Sequence, residues 1–300
     1  MGKVVVVGSS NTDMVFGTQR MPLPGETVMG ESFDQLPGGK GANQAVAAAR
    51  AGAEVHFIAK VGRDDLGQTA IENYQQDDIH TDFISQTDKA ASGVAMIMVD
   101  HNSGENAIVV APGANALLSP EDIKAAEALI ASADVLLVQL ETPLVTVRRA
   151  LEIARKSGVI TILNPAPAQG LSDDVLNLVD YLTPNETETK LLCGISPKDQ
   201  ASTQHAAQAL TRFVKNVIIT LGSAGSFLRD ADGHTAQIPT QKVQAVDTTA
   251  AGDVFNGYLA AALADGQELE AAIQVANRAA TLSVTKKGAQ PSIPWRKDLG

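Results

Sequence analysis

The chain has 300 residues, of which 44% are hydrophobic and only 4% aromatic, and it carries a formal net charge of -11. That length and apolar content can bury a large core, and the character of the sequence does not break, so residues 1–300 read as one domain with an appendage. The acidic balance argues against a nucleic-acid or membrane-surface partner, which would call for a basic face, so local basic residues must carry any phosphate binding.

Met1 to Ser10 reads as a strand around the β-branched run Val4 to Val7. It lacks the charged start, longer apolar stretch and cleavage site of a signal peptide. No apolar run approaches the ~18 residues of a membrane span, and a cytoplasmic protein is expected. Asp13 to Pro37 then alternates in short strands around turn residues at Pro22 to Gly25. Next, Gly38, Gly39, Lys40, Gly41, Ala42 and Asn43 lead into an alanine-rich helix, Ala42 to Ala51, so backbone can approach a ligand closely, with Lys40 and Asn43 reaching it. The spacing is neither a Walker A loop nor G-x-G-x-x-G.

Further along, the β-branched runs His56 to Val61, Val135 to Leu140, Val159 to Leu163 and Val217 to Leu221 alternate with helical stretches such as Pro120 to Ser132 and Val145 to Ser157. Ser119, Pro120 and Glu121 supply a cap, a first-turn proline and an early acid, and Gly158 after Lys156 marks a C-terminus. Strands apolar on both faces predict an α/β fold, a mostly parallel sheet sandwiched by helices. Ser92 to Pro112, with a turn at Asn102 to Gly104, breaks this alternation as Asp13 to Pro37 does. Segments 13–37 and 92–112 are therefore expected to form a small antiparallel sheet, a lid whose unburied face covers a ligand cleft or another subunit. Cys193 has no disulfide partner and reads as a packed small hydrophobe. His56, His80, His101, His205 and His234 are scattered without metal-ligand spacing.

The most informative segment is Asp247, Thr248, Thr249, Ala250, Ala251, Gly252 and Asp253. Three small residues leave successive N–H groups uncovered where a helix of strong apolar periodicity begins, which is the build of an anion site. Asp253 at the same turn would repel a phosphate, unless it takes a proton from a hydroxyl that attacks that phosphate. An ordinary N-cap is the other reading open to it.

The segments GGKGANQAVAAARAG (Gly38 to Gly52), LNPAPA (Leu163 to Ala168), TPNETE (Thr183 to Glu188), Val217 to Gly225, AVDTTAAGDVFNG (Ala245 to Gly257) and VTKKGAQPSIP (Val284 to Pro294) occur in order and nearly span the chain. Together they resemble the ribokinase-like carbohydrate kinase family. The resemblance implies that a sugar hydroxyl, O5 of ribose, attacks the γ-phosphate of ATP, with Asp253 as general base and the amides of Ala250, Ala251 and Gly252 holding the developing charge. By the same resemblance Asn11, Asp13, Gly39, Lys40, Asn43 and Glu141 hydrogen-bond the sugar, with Asn11 near the 2-hydroxyl. Asn11 and Asp13 also read as a plain turn after the first strand.

For the nucleotide, the resemblance assigns Asn185, the stretch Thr220 to Gly225 with Gly222 and Ser223, and Asn277 near the adenine. Glu188 would organise Mg²⁺ through water, whereas Glu186 is simply solvated. It further implies an activating K⁺ ion at Asp247, Thr249, Ser283, Lys286, Gly288 and Ser292, many through backbone oxygens, and a homodimer formed through the lid. A kinase for another small sugar, such as deoxyribose or fructose, and a sugar-binding regulator without turnover are the alternatives.

Overall fold

A computed structural model describes residues 1–300. In chain order the strands are β1 (Lys3–Val7), β2 (Asn11–Thr18), β3 (Ser32–Gly38), β4 (Glu54–Gly62), β5 (Ile84–Thr87), β6 (Gly93–Asp100), β7 (Asn106–Ala111), β8 (Val135–Val138), β9 (Ile160–Leu163), β10 (Tyr181–Leu182), β11 (Asn216–Thr220), β12 (Ser226–Arg229) and β13 (Thr235–Ile238). The helices are α1 (Lys40–Arg50), α2 (Asp65–Gln76), α3 (Pro120–Ala125), α4 (Glu127–Ala131), α5 (Leu144–Ser157), α6 (Asp173–Leu176), α7 (Glu186–Cys193), α8 (Gln200–Leu210), α9 (Ala251–Ala264) and α10 (Leu269–Ser283).

The main sheet runs β13-β12-β11-β10-β9-β8-β1-β4-β5. It is parallel from β11 to β5, while β12 and β13 close one end as antiparallel strands. β1 lies inside the sheet, third from the β5 edge, Val4 facing Val55 on one side and Val135 on the other. Its valines are fully buried and divide between two cores. Val4 and Val6 pack with Phe57 under α1, α9 and α10, whereas Val5 and Val7 pack with Leu136 and Val138 under α3, α5 and α8. Burying each valine contributes ~2 kcal/mol, so a run apolar on both faces is stable only between helical layers.

The second sheet, β3-β2-β6-β7, contains both segments expected to form a lid. It is mixed rather than antiparallel: its central pair, β2 and β6, is parallel, with antiparallel β3 and β7 outside it. The long connection from β2 to β6 passes through the main fold, which makes a parallel pairing possible. Every residue of β7 is exposed, including Ile108, Val109 and Val110.

Local signals explain the helix ends. Ser119 caps α3 in a reciprocal box with Asp122, and Gly158 ends α5 at φ 75°. The single helix expected over Pro120 to Ser132 is instead interrupted at Ala126 (φ −96°, ψ 11°), which keeps Ile123, Ala126 and Ile130 all on the same core. β4 and its neighbour bring two of the scattered histidines together: the rings of His56 and His80 stack 4.2 Å apart, with His56 Nε2 3.0 Å from Glu54 Oε1. Parallel ring planes send their lone pairs side by side rather than to a common point, and Lys3 also pairs with Glu54. Helices α1 and α9 approach closely at Gly257, where a Cβ would lie 2.5 Å from that of Ala47. The loops after β1, β8, β9, β10 and β11 lie at the carboxyl ends of the parallel strands, where open α/β sheets bind ligands.

Candidate active site

Asp253 is the third residue of α9 and is buried. The N-cap position belongs to Ala250, so Asp253 does not cap its own helix. Its carboxylate is held from α1: Asn43 Nδ2 donates to Oδ2 at 3.0 Å and Gln44 Nε2 donates to Oδ1 at 2.9 Å. Burial pushes its pKa up, while Lys40 and the two amides pull it down.

Ala250 adopts φ 61°, ψ 8°, left-handed backbone that costs a residue with a Cβ roughly 1 kcal/mol. The bend turns the N–H of Ala251 back to the carbonyl of Thr248 at 3.3 Å, whereas the N–H groups of Ala250, Gly252 and Asp253 have no partner in the protein. Of the expected set of Ala250, Ala251 and Gly252, the first and last are thus free, while Ala251 is occupied and Asp253 takes its place. Gly252 has open space where a Cβ would project.

The proposed sugar residues gather around Asp253. Asn11 and Asp13 lie in strand β2 rather than in a turn, two residues apart and so on one face. Asp13 is raised to about 6, first by burial and then by the charges of Glu141 and Asp253. Glu141 Oε2 accepts from the hydroxyl of Ser9 at 2.5 Å and from the N–H of Lys40 at 3.0 Å. Gly39 has φ 90°, and a Cβ there would meet the N of Asn11 at 2.8 Å, so only glycine lets this turn close on β2. The Lys40 ammonium is held charged by Asp253 and, more weakly, by Glu141 and Glu188.

Two adjoining cavities meet at the start of α9, sharing Asn185, Thr220, Thr248, Ala251 and Gly252. The smaller, about 210 Å³, also has Lys40, Glu188 and Asp253 in its wall. The larger, about 790 Å³, adds Gly222, Ser223, Gly225 and Asn277. Asn277 lines it while its Nδ2 donates to Ser226 Oγ and the carbonyl of Ile238. Glu188 is buried, closes the capping box of α7 with Asn185 and is pushed up by that burial.

Next to the anion donors, Asp247 Oδ1 accepts from the N–H of Thr249 and Oδ2 from that of Gly288, and the Asp247 N–H reaches the carbonyl of Val284. Asp247, Thr249 and Gly288 are therefore brought together. The hydroxyls of Ser283 and Ser292 instead donate to the carbonyls of Ala280 and Ala289, leaving those residues only oxygen to offer a cation. Lys286 lies in the same loop, its N–H bonded to the Ser283 carbonyl.

Gln44, Asn115, Asn164, Thr183 and Asn256, all buried, are among the polar residues of this region that were not singled out from sequence. Gln44 had a usable signal, an amide inside the alanine-rich start of α1, where a solvated polar residue would not be buried.

A family model described as pfkB family carbohydrate kinase matches residues 1–296. A ribokinase from Haemophilus influenzae is 46% identical over 98% of this chain and 96% of its own. A deoxyribokinase from Salmonella typhimurium is 38% identical over 97% of this chain and 95% of its own. A solved ribokinase from Arabidopsis thaliana, complexed with ribose and ATP, matches with a TM-score of 0.91 and 32% identity, covering 99% of this chain and 97% of that one.

Proposed function

The chain belongs to the pfkB family of carbohydrate kinases, and from that premise we propose that it transfers the γ-phosphoryl group of ATP to O5 of D-ribose, giving ribose 5-phosphate and ADP. The observation that carries this reading is the buried Asp253 carboxylate in the wall of the smaller cavity, next to Gly252 where the two cavities meet, beside free N–H donors and held by neutral amides. The ribokinase relatives favour ribose as the sugar.

In this reading ribose sits against Asn11, Asp13, Gly39, Lys40, Asn43 and Glu141, and ATP occupies the larger cavity with its phosphates toward Gly252. Asp253 accepts the O5 proton as that oxygen attacks phosphorus, and the burial that raises its pKa makes it a better base. The free N–H groups of Ala250, Gly252 and Asp253 face the charge that develops on the transferred group, a role that needs fixed donors rather than covalent chemistry. Lys40, kept as an ammonium, adds a positive charge between the acids and the phosphate.

The carboxylate of Glu188, which accepts from the N–H and Nδ2 of Asn185, is the oxygen ligand here that suits a hard cation, and Mg²⁺ held there through water would offset phosphate charge. Asp247, with the backbone oxygens of Thr249, Ser283, Lys286, Gly288 and Ser292, is read as the K⁺ site. Residues 1–300 act as one cytoplasmic catalytic unit, with segments 13–37 and 92–112 as a lid over the sugar. A second copy pairs through that lid, because exposed β7 leaves both apolar faces and an edge uncovered. Sedimentation showing only monomer at micromolar concentration would remove the dimer.

Release of ADP from Mg·ATP in K⁺ buffer, measured with ribose, 2-deoxyribose, fructose and adenosine, tests the assignment. A kcat/KM preference for ribose over deoxyribose of about a hundredfold is expected, because a missing hydroxyl leaves buried polar groups unpaired. The deoxyribokinase relative makes deoxyribose the leading alternative. Preference for deoxyribose would move the sugar assignment without disturbing Asp253, and binding without turnover would indicate a sugar-responsive regulator.

A further inference from the structure

We propose that Gln44 is a positioning residue for phosphoryl transfer, fixing the carboxylate of Asp253 through an amide whose orientation is dictated, by way of Asn164, by the backbone of Thr183. This inference rests on the reading of Asp253 as general base. Gln44 is fully buried and uses its whole amide. Nε2 donates to Asp253 Oδ1 at 2.9 Å and to Asn164 Oδ1 at 3.0 Å, while Oε1 accepts from Gln139 Nε2 at 2.6 Å.

The orientation follows from a group that cannot turn over. Asn164 Nδ2 donates to the carbonyl of Thr183 at 3.2 Å. A carbonyl only accepts, so the NH₂ of Asn164 must face it and the Asn164 oxygen must face Gln44. Gln44 then has to present its NH₂ to that oxygen and to Asp253, leaving its own oxygen for Gln139. Turning the Gln44 amide over would set its oxygen against two acceptors, Asp253 Oδ1 and Asn164 Oδ1. Among side chains as buried as these each such mismatch is costly.

The network continues to the other half of the chemistry. Thr183 Oγ1 donates to Asn256 Oδ1 at 2.6 Å, and Asn256 Nδ2 donates to the carbonyl of Gly252 at 2.8 Å. The N–H of that same peptide unit is the Asp253 N–H, one of the free donors. One set of neutral side chains thus spans from the base to the peptide of an anion donor and fixes their separation. Capping does not explain Gln44, because it lies in the middle of the first turns of α1, and ion pairing does not explain it, because it carries no charge.

The experiment compares Gln44→Met, Gln139→Met and Asp253→Ala with the wild-type protein, using steady-state kinetics from pH 5 to 9 and thermal melting as the check on folding. Methionine keeps the length of glutamine and removes its donors and acceptor. For Gln44→Met, kcat is expected to fall about 10- to 100-fold with KM for ribose and ATP changed less than about threefold, the pattern of an interaction made in the transition state. The acid limb of the kcat profile is expected to move to higher pH, because a hydrogen bond to the ionised carboxylate is lost. Gln139→Met, which frees the amide without removing it, should show the same two changes to a smaller degree, and it carries the test alone if Gln44→Met does not fold.

A folded variant with kcat within twofold of wild type and an unmoved acid limb would overturn the proposal, as would a loss confined to KM. Asp253→Ala separates the two levels of inference. Turnover retained in Asp253→Ala would defeat the base assignment itself, whereas an inactive Asp253→Ala beside an unaffected Gln44→Met would defeat only the role of Gln44.

Discussion

Asn115 Nδ2 donates to Asn11 Oδ1 at 2.7 Å, and this bond decides which end of the Asn11 amide is available. Asn115 is itself fixed by the backbone of Ser10: its Oδ1 accepts that residue's N–H at 2.9 Å and its Nδ2 donates to that residue's carbonyl at 3.1 Å. An N–H cannot accept, so Asn115 cannot turn over. Asn11 must then leave its NH₂ as the group for a ligand, a donor that a sugar hydroxyl oxygen can accept.

Asn115→Leu should therefore release the Asn11 amide and relax discrimination at the 2-position. The ratio of kcat/KM for ribose to that for 2-deoxyribose is expected to drop about tenfold, mainly through KM for ribose. The Ser10 N–H also loses its acceptor, so Tm should fall by an amount matching about 1–3 kcal/mol. An unchanged sugar ratio in a folded variant would show that Asn115 does not control specificity.

Asp13 sets a pH dependence with a definite sign. Its carboxyl is raised from 3.8 to about 6 by burial and by the neighbouring charges of Glu141 and Asp253. An acid with a native pKa above its unfolded value binds more protons when folded in that interval, so stability rises as pH falls from about 6 toward 3.8 and is lowest above 6. Asp13→Asn should raise stability at pH 7 by on the order of 2 kcal/mol while greatly weakening ribose binding. For the wild-type protein, KM for ribose should climb below pH 6 as the acceptor is protonated. A variant that is destabilised at pH 7 would contradict this account.

What could be read from the sequence is set by how local the cause is. Val4 to Val7 announces a central strand because its four side chains alternate between two cores, and Ser119 and Gly158 mark helix ends by chemistry within a few residues. The parallel pairing of β2 with β6 could not be read, since it joins segments about 80 residues apart by backbone bonds that place no demand on side-chain type. Likewise Ala250 looks like a permissive small residue, and only its φ of 61° shows that the chain turns there, with the Ala251 N–H tied to Thr248 and that of Asp253 left free. Gln44 gains its partners from α9 and from the ends of β8 and β9, so its place beside Asn43 and in the motif hides that it reaches Asp253.

Gly252 separates stability from turnover. It lies in the first turn of α9, where alanine is favoured over glycine by roughly 0.5–1 kcal/mol, and a Cβ there meets no atom within 4 Å. Gly252→Ala should melt at the same temperature or slightly higher. Because the residue borders both cavities, the added methyl would stand where the transferred phosphoryl group passes. A fall in kcat of about a hundredfold is expected without loss of folded protein, read from parallel melting and ADP-release assays. Full turnover in Gly252→Ala would move the phosphate away from this turn.

The monovalent-cation assignment makes the last prediction. Asp247 ties two loops together, accepting the N–H of Thr249 on one side of the anion donors and that of Gly288 on the other. Hydrogen bonds from Thr249 and Gly288 help to hold its pKa below the usual carboxylate range against the opposing effect of burial, so it is ionised at neutral pH. A cation at its oxygens and the nearby carbonyls would tighten the segment that carries Ala250 to Gly252, raising kcat more than it lowers KM for ribose. Replacing K⁺ by tetramethylammonium at matched ionic strength should lower kcat severalfold. Na⁺, smaller than K⁺ and more strongly hydrated, should restore less of it than K⁺. Asp247→Asn should abolish the difference between the salts, because the charge that attracts a cation is gone and the single amide oxygen can replace only one of the two acceptors that Thr249 and Gly288 now use. Equal rates in all three salts for the wild-type protein would remove the cation from this site.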